Sequence, residues 1–352
     1  MSKNNLSKKV LIWYDKNRRD LPWRKVNQNS DPYETWISEV MLQQTTVEAV
    51  KPYFRKFLSK WPTIQDLAKS NINDVMDMWS GLGYYSRAKN IHKSSHIIIK
   101  NYNGKFPNKY DELIKLPGIG PYTAGAILTI AFNKGAVVID ANIERILLRL
   151  NGILLPIKDV KKELRELAST LNPEKRIGDY VQALMDIGSK ICKPKNPNCS
   201  ICPIKSNCKS LQNDLTELIP LKEKVKARPI KEAELFWIVS NNDKIFLRRR
   251  SLSGLLPGML EFPSSEWVST NKKRKSIAFP FSGKWESIPG KITHTFSHFE
   301  LSLKVYTFKG IDQDSLNGLW ENKENLNKIG LPSLMRKVYR HVLSKEGIRF
   351  EK

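Results

Sequence analysis

The sequence predicts a two-domain protein, in which a mainly α-helical N-terminal domain is followed by an α+β domain. Apolar residues recur at helical spacing from the N-terminus to about residue 210, whereas sustained period-two alternation begins beyond residue 231. Residues 209–231 are polar and lysine-rich, and within them we place a connector at 213–231. The chain of 352 residues is long enough for each domain to bury its own core.

The N-terminal helices are predicted from capping residues and apolar periodicity. Asp31-Pro32-Tyr33-Glu34 forms a capping box, and the apolar side chains from Trp36 onward recur at helical spacing. Further helices are predicted over Val47–Leu58, Ala88–Ile99, Ala124–Phe132, Ile143–Leu150, Leu164–Leu171 and Tyr180–Ile187. In this half of the chain only Ala136–Ile139 alternates in a way that suggests a strand.

The C-terminal domain is predicted to contain a hairpin, a further strand and a final helix. The runs LFWIVS and IFLRRR flank the turn sequence NNDK and predict the hairpin. Residues Phe299–Val305 alternate between apolar and polar side chains, as a half-buried strand does. Ser333 is predicted to cap a helix that carries apolar residues from Leu334 to Val342.

The chain is strongly basic, with 59 Lys and Arg against 35 Asp and Glu and a net charge of +24. This surplus favours a polyanionic partner such as nucleic acid, although a general lysine bias would also raise the charge. The N-terminus lacks the apolar core of a signal peptide, and no apolar run is long enough to span a bilayer. We therefore expect a cytoplasmic protein without a membrane partner.

The four cysteines are confined to one short stretch, at Cys192, Cys199, Cys202 and Cys208. This clustering excludes scattered disulfides and predicts one local metal site. Zinc sites usually present two close pairs, whereas this spacing has one close pair and favours an iron–sulfur cluster with one thiolate per iron. Zinc is the alternative, because four thiolates are also a zinc ligand set. We interpret the four residues as ligands of one 4Fe–4S cluster that holds a basic loop in place.

The stretch LPGIGPYTA at 116–124 places two glycines between two predicted helices. Glycine-rich turns between helices are common, but here the connection between the two predicted helices is very short. Gly118 and Gly120 permit a positive φ and the close approach of a phosphate. Pro121 and Thr123 can begin a helix whose N-terminus favours an anion. The pattern predicts a helix–hairpin–helix that contacts the DNA backbone without reading its sequence.

Several motifs together resemble one family. LPGIGPYTAGAI, VVIDANIERIL and the four-cysteine loop resemble the helix–hairpin–helix DNA glycosylase superfamily. DPYETWISEVMLQQTTVEAVKPYF and WSGLGYYSRAKNIHK narrow the resemblance to the adenine DNA glycosylase family, over nearly the whole chain. The resemblance implies a monomeric bacterial base-excision-repair enzyme, acting at the nucleoid, that removes adenine mispaired with 8-oxoguanine or guanine in double-stranded DNA.

The resemblance also implies the domain organisation. An iron–sulfur lobe would comprise residues 1–25 and 138–212, and a helical-barrel lobe at 26–137 would carry the helix–hairpin–helix. Residues 232–352 would form a Nudix-like domain, which GLLPGMLEFPSSEW resembles most closely.

A Nudix hydrolase holds magnesium with a Glu-rich helix, but here FPSSEWVSTNKKRK follows Glu261, so we expect no pyrophosphohydrolase activity. The resemblance instead assigns Phe296, Ser297 and His298 to reading the oxidised guanine. A plain turn between two strands is the alternative for these three residues.

Breaking an N-glycosidic bond requires a proton on the leaving base and stabilisation of positive charge on the sugar, which two carboxylates can provide. Glu39 lies beside the apolar stripe of its helix, where partial desolvation would raise its pKa. A solvated glutamate at the edge of the helix is the alternative, and the resemblance carried by SEVMLQQT assigns Glu39 the role of general acid. Asp140 precedes a helix that it can also cap. The resemblance assigns Asp140 to stabilising the oxocarbenium ion or trapping it transiently, with hydrogen bonds from Tyr122 and Asn142.

The residue at position 122 bears on whether the glycosylase also cleaves the DNA strand. The sister family that resembles endonuclease III carries a lysine there, which forms a Schiff base and leads to strand cleavage. A tyrosine cannot form a Schiff base, so Tyr122 predicts a monofunctional glycosylase. The alternatives are a glycosylase with lyase activity on damaged pyrimidines and a non-catalytic iron–sulfur protein that binds DNA.

The remaining substrate contacts follow from the resemblance. A target base must leave the stack to be reached, and Gln44 and Tyr84 match residues that wedge into the gap or read the opposite base. Ala141 departs from the family pattern, in which glycine is frequent. The residues that match the adenine pocket are Trp23, Arg24, Leu42 and Gln182.

Overall fold

The computed structural model describes residues 3–25, 30–221, 227–251, 254–270 and 277–346. The chain divides into two compact units, and the boundaries interrupt the sequence order. The first unit comprises Met1–Lys69 and Asn90–Lys224, and the second comprises Ser70–Lys89 and Val225–Lys352. The segment Ser70–Lys89 therefore belongs with the C-terminal part of the chain.

The helices and strands follow the predicted order, helices first and the sheet second. The helices are α1 (Lys3–Asn17), α2 (Pro32–Leu42), α3 (Val47–Lys60), α4 (Ile64–Lys69), α5 (Ile72–Met78), α6 (Ser86–Tyr102), α7 (Tyr110–Leu113), α8 (Pro121–Ala126), α9 (Ala141–Asn151), α10 (Ile157–Leu171), α11 (Ile177–Lys190), α12 (Lys209–Gln212) and α13 (Ser333–Lys345). The strands are β1 (Ile230–Ser240), β2 (Lys244–Arg249), β3 (Leu260–Glu261), β4 (Val268–Ser269), β5 (Glu286–Thr295), β6 (Glu300–Ile311) and β7 (Leu319–Asn322). Within the described ranges, no helix has both the length and the apolarity that crossing a bilayer requires.

The helices that position the site begin where the sequence predicts caps. Asp31 accepts hydrogen bonds from the backbone N–H groups of Tyr33 and Glu34 at the start of α2. Asp140 accepts one from the N–H of Ile143 at the start of α9. Because a side-chain oxygen satisfies N–H groups that have no partner within the helix, each cap fixes where its helix begins.

One apolar core cluster of the first unit lies among α1, α9, α10 and α11. Helices α9 and α11 approach closely at Gly188, where a Cβ would lie 2.5 Å from the Cβ of Asn142. A larger residue at 188 would therefore displace Asn142, which lies beside the predicted catalytic Asp140.

Two local predictions for this unit are modified. The helix predicted over Ala124–Phe132 begins earlier as α8 and continues as a π-helical turn at Ile127–Ala131. The strand at Ala136–Ile139 is wrong, because this segment pairs with no strand in the described chain. It packs instead on α8, where the Val137 carbonyl oxygen lies 2.4 Å from the position of a Cβ on Gly125.

The second unit is built on one sheet, in which the strands are ordered β3-β2-β1-β6-β5. The predicted hairpin is confirmed, because β1 and β2 pair antiparallel, while β1 and β6 pair parallel. Helix α13 packs on one face through Leu334, Met335 and Val338. An aromatic cluster around Phe236 covers the other face, and for this reason β1 is buried on both sides from Leu235 to Ser240.

The predicted cap of α13 is wrong. Ser333 is the first helical residue, and Pro332 precedes it without a side-chain capping hydrogen bond. Proline fixes an extended entry into the helix, so the helix begins there without a capping side chain.

The region after Glu261 is where a Nudix hydrolase would present its magnesium-binding carboxylates. Glu261 is 2% exposed and forms ion pairs with Arg248 and Arg250. The described residues 263–270 and 277–285 form no helix that could present further carboxylates. The Glu261 carboxylate is therefore already neutralised by arginines.

We expect the full-length protein to hydrolyse no nucleoside triphosphate, because FPSSEWVSTNKKRK after Glu261 lacks the Glu-rich run with which a Nudix hydrolase holds magnesium. Pyrophosphate release from a panel of deoxynucleoside triphosphates with Mg²⁺ should equal the rate without enzyme. Glu261→Gln is the control. Magnesium-dependent turnover that this substitution removes would contradict the expectation.

Candidate active site

One cavity in the first unit brings the predicted catalytic and base-binding residues together. Its volume is about 510 Å³, which is within the usual range for small-molecule sites and enough for a purine base. The predicted residues that line it are Trp23, Arg24, Glu39, Leu42, Tyr122, Asp140, Asn142 and Gln182.

Glu39 is buried in this cavity, with 6% of its surface exposed. The Tyr122 hydroxyl donates a hydrogen bond to its Oε2 at 2.6 Å. Burial raises the pKa of Glu39, and the nearby Asp140 charge acts in the same direction, against lowering by the Tyr122 hydrogen bond and Arg24. Burial also holds the pKa of Tyr122 well above its ordinary value, so the phenol is a neutral donor.

Asp140 combines a capping role with a position on the cavity wall. Its Oδ1 accepts from the N–H of Ile143 at 2.7 Å, and its Oδ2 accepts from Nδ2 of Asn142 at 2.9 Å. The expected hydrogen bond from Asn142 is therefore present. The one expected from Tyr122 is not, because the Tyr122 hydroxyl donates to Glu39 instead.

Asn142 in turn connects Asp140 with the cysteine loop. Its Oδ1 accepts from Nη2 of Arg145 at 2.9 Å, and Nε of Arg145 donates to the carbonyl of Cys192 at 2.7 Å. The orientation of the Asp140 carboxylate therefore depends on a hydrogen-bonded chain that reaches the loop.

Asp186 is a residue of this site that sequence reasoning missed. It is fully buried on α11 and accepts from Nε of Arg19 at 2.6 Å and from Nη1 of Arg24 at 2.7 Å. Arg24 lines the cavity, so Asp186 fixes the direction of its guanidinium. The available signal was a lone carboxylate inside the apolar run ALMDI, but its partners lie 167 and 162 residues away.

Asp186→Asn should lower the free energy of unfolding by about 3–5 kcal/mol, because it leaves buried guanidinium groups without a counter-charge. Urea denaturation would measure the loss. Asp179→Asn on the same helix is the matched control, since Asp179 pairs at the surface with Arg176 and should contribute about 1 kcal/mol or less. Equal losses in the two variants would contradict the structural assignment.

The residues predicted to contact DNA outside this cavity lie in several places. Gln44 is exposed just beyond the end of α2. Tyr84 belongs to the second unit, where it is 44% exposed and has a φ of 47°. Ser297 and His298 are exposed in the turn between β5 and β6. Phe296 is partly buried in the same turn and stacks on the buried Phe299 with ring centroids 4.8 Å apart.

The glycine turn joins α7 to α8, as the helix–hairpin–helix pattern predicts. Gly118 has the expected positive φ of 78°, whereas Gly120 has a φ of −91° and precedes α8 in extended conformation. Of the two glycines that permit a positive φ, Gly118 therefore adopts one and Gly120 does not. A Cβ on Gly120 would meet nothing within 4 Å. Thr123 is buried and its hydroxyl accepts from Nε2 of Gln43 at 3.2 Å, so the Thr123 side chain does not face a phosphate.

All four cysteines line one small cavity, together with Arg149 and Lys205. Arg149 is 2% exposed, and its Nη1 lies 3.4 Å from Sγ of Cys192. Within the described residues, no group of three or more His, Cys, Asp or Glu side chains is arranged to hold a metal ion. The four cysteines thus surround one shared space.

The comparisons with known proteins agree with this architecture. The family model described as HhH-GPD superfamily base excision DNA repair protein matches residues 37–173, and the NUDIX domain model matches residues 235–341. The fold and the site together define a DNA glycosylase, a hydrolase of N-glycosyl bonds, with a C-terminal Nudix-like domain.

The relatives identify the family within this class. An adenine DNA glycosylase of Buchnera aphidicola is 37% identical over 342 residues, which cover 94% of each chain. A thermostable thymine-DNA glycosylase has a TM-score of 0.54 at 30% identity, covering 60% of this chain and 97% of that chain. An endonuclease III in a non-covalent complex with DNA has a TM-score of 0.51 at 25% identity, covering 61% and 99%. The chain belongs to the adenine DNA glycosylase family.

Proposed function

We propose that the protein hydrolyses the N-glycosidic bond of adenine mispaired with 8-oxoguanine, or with guanine, in double-stranded DNA. The observation that supports this most strongly is the buried Glu39, hydrogen-bonded to Tyr122 in the cavity that Asp140 also lines. The reaction requires two carboxyl groups in different environments. Burial favours the protonated form of Glu39, whereas hydrogen-bond donors hold the Asp140 carboxylate.

In the proposed mechanism, protonated Glu39 donates its proton to a ring nitrogen of the flipped adenine. The base then leaves with the electrons of the bond to the sugar, and Asp140 stabilises the positive charge that remains. Water adds to the sugar carbon, and its proton passes to the Glu39 carboxylate, which restores the acid.

The base-binding residues of the proposal surround this pair. Trp23 and Leu42 offer apolar walls, and Gln182 offers an amide that can both donate to and accept from an adenine edge. Arg24, whose guanidinium donates to Asp186, lines the polar side of the cavity. Gln44 and Tyr84 would fill the gap that the flipped base leaves or contact the base opposite it.

DNA backbone contacts are proposed for the helix–hairpin–helix. The positive φ of Gly118 and the open space above Gly120 would let a phosphate approach the backbone N–H groups. Thr123 would contribute through its backbone rather than its buried hydroxyl. Phe296 would support the turn from beneath, while the exposed Ser297 and His298 would read the oxidised guanine.

One 4Fe–4S cluster is the proposed cofactor. The donor set fits it, because four thiols line one cavity and each could bind a different iron. The guanidinium of Arg149 beside Cys192 would stabilise a negatively charged cluster. The role proposed for the cluster is structural, and iron and acid-labile sulfide analysis of the purified protein distinguishes it from zinc.

The remaining part of the proposal concerns the reaction type and setting. With Tyr122 in place of a lysine, we infer a monofunctional glycosylase, since the neutral phenol cannot form a Schiff base. We also infer a monomer that works in the bacterial cytoplasm at the nucleoid, which the basic charge of +24 supports.

The test is a single-turnover excision assay with adenine placed opposite 8-oxoguanine, guanine, cytosine or thymine. Release should be fastest opposite 8-oxoguanine, and borohydride should trap no covalent complex with the substrate duplex. Strong borohydride trapping would exclude the monofunctional mode. Cleavage of damaged-pyrimidine duplexes without release of adenine would overturn the proposed substrate.

A further inference from the structure

The segment Ser70–Lys89 is held to the rest of the second unit by an ion pair. Asp77, near the end of α5, accepts from Arg249 at the end of β2 through both carboxylate oxygens. The distances are 3.1 Å from Nη1 to Oδ1 and 2.9 Å from Nη2 to Oδ2. A bidentate pair of this kind fixes the direction of both side chains as well as their separation.

Two further contacts show that the segment fits this surface closely. The hydroxyl of Ser80 donates to the carbonyl of Leu331 at 2.8 Å, and both residues are buried. A Cβ on Gly330 would lie 3.0 Å from both Cα and Oδ1 of Asp77. The Asp77–Arg249 ion pair is therefore part of a closely packed contact and not an isolated pair of surface charges.

The same segment carries Tyr84 to the turn between β5 and β6. The Tyr84 hydroxyl is hydrogen-bonded to Oγ of Ser297, and the Ser297 carbonyl accepts from Nε of Arg228 at 3.4 Å. The guanidinium of Arg87 lies over the Tyr84 ring at 4.6 Å from its centroid. An exposed aromatic ring, a hydroxyl and two guanidiniums thus form one surface, with the chemistry that binds nucleobases and phosphates.

We propose that the Asp77–Arg249 ion pair is a positioning device that holds Tyr84 against Ser297, and that it determines how well the enzyme distinguishes the base opposite adenine. The inference rests on the proposed function, in which these two residues meet that base. Tyr84 has a φ of 47°, which is strained for a non-glycine residue, so its position requires support from neighbouring contacts.

The partial exposure of the ion pair supports a positioning role rather than a stabilising one. The side chains of Arg249 and Asp77 are 33% and 36% exposed, and pairs at such positions contribute little to stability. Loss of the pair should therefore leave the fold and the chemistry of the adenine cavity intact while Tyr84 and Ser297 lose their fixed separation.

The experiment measures single-turnover adenine release opposite 8-oxoguanine and opposite guanine, and compares the ratio of the two rates. Arg249→Ala should lower this ratio about threefold, and Asp77→Arg about tenfold because it places two guanidiniums together. The exchanged double variant Asp77→Arg/Arg249→Asp should recover the ratio to within about twofold of wild type. Arg248→Ala is the matched control, because the neighbouring Arg248 pairs with Glu261 instead.

Hydrogen exchange of the backbone amides near Tyr84 and Ser297 supplies a readout independent of activity. Exchange should be faster in Arg249→Ala than in wild type or Arg248→Ala. An unchanged ratio or unchanged exchange in Asp77→Arg would overturn the proposal, as would a parallel fall of both rates without recovery in the double variant. If the wild-type enzyme excised adenine equally fast opposite 8-oxoguanine and opposite guanine, the proposed recognition of oxidised guanine would be refuted. In that case the hydrogen-exchange data would still decide whether the ion pair positions Tyr84.

Discussion

Glu39→Gln should lower the single-turnover rate of adenine release by about 10²–10⁴-fold, the usual contribution of a general acid. The amide has nearly the same shape and can still accept the hydrogen bond that the Tyr122 hydroxyl donates at 2.6 Å. It has no acidic proton for the leaving base. The variant therefore removes the proton transfer and leaves the packing of the cavity.

The pH dependence provides a second test of Glu39. Burial raises the pKa of this carboxyl, so the wild-type rate should fall as the pH rises through the folded-state value and the acid ionises. A glutamine cannot ionise, so the residual rate of Glu39→Gln should not fall as the pH rises over this range. A wild-type rate that rises with pH over the same range would contradict the assignment of Glu39 as the acid.

The stability of the same variant should change in the opposite direction from its activity. Because the folded pKa of Glu39 exceeds the unfolded value, the folded state binds the proton more tightly. The favourable contribution is complete below the unfolded pKa and is lost as pH rises through the folded pKa. Above that range Glu39→Gln should unfold at an equal or higher temperature than wild type, since it avoids a buried charge.

Glu48→Gln is the matched control for both measurements. Glu48 lies on α3 with its side chain 79% exposed, so the substitution should change neither the rate nor the melting temperature appreciably. Equal release by wild type and Glu39→Gln would remove Glu39 from the mechanism.

Asp140→Asn should lower the rate by about 10²–10³-fold, because it removes the negative charge that faces the developing cation. Asparagine caps helices about as well as aspartate, so the start of α9 should be retained. The amide cannot accept from Ile143 and Asn142 at once, as the two oxygens of Asp140 do. We therefore expect a loss of stability of about 1 kcal/mol, too small to account for the rate.

Asp31→Asn is the control for this second substitution. Asp31 caps α2 through hydrogen bonds from Tyr33 and Glu34 and does not line the cavity. Both hydrogen bonds go to Oδ1 of Asp31, which asparagine retains, so Asp31→Asn should show little change in melting temperature and an almost unchanged rate. A rate loss in Asp31→Asn as large as that in Asp140→Asn would mean that capping, and not charge, explains the effect.

Much of the fold could be predicted because its signals are local. The caps at Asp31 and Asp140, the turn at Gly118 and the hairpin of β1 and β2 each depend on residues only a few positions apart. One local error arose where a neighbour in space replaced the expected local interaction. Ala136–Ile139 packs on a helix and finds no strand partner in the described chain.

The sequence by itself determined the helical and α+β halves and the local cysteine loop, because spacing and residue type carry this information. Only the tertiary structure decided that Tyr122 donates to Glu39, 83 residues away, and that Asp186 holds Arg24. It also paired Asp77 with Arg249, 172 residues away. Burial and ion pairing depend on which distant segments meet, and a carboxyl group acquires its final pKa and partner only when the fold removes it from water.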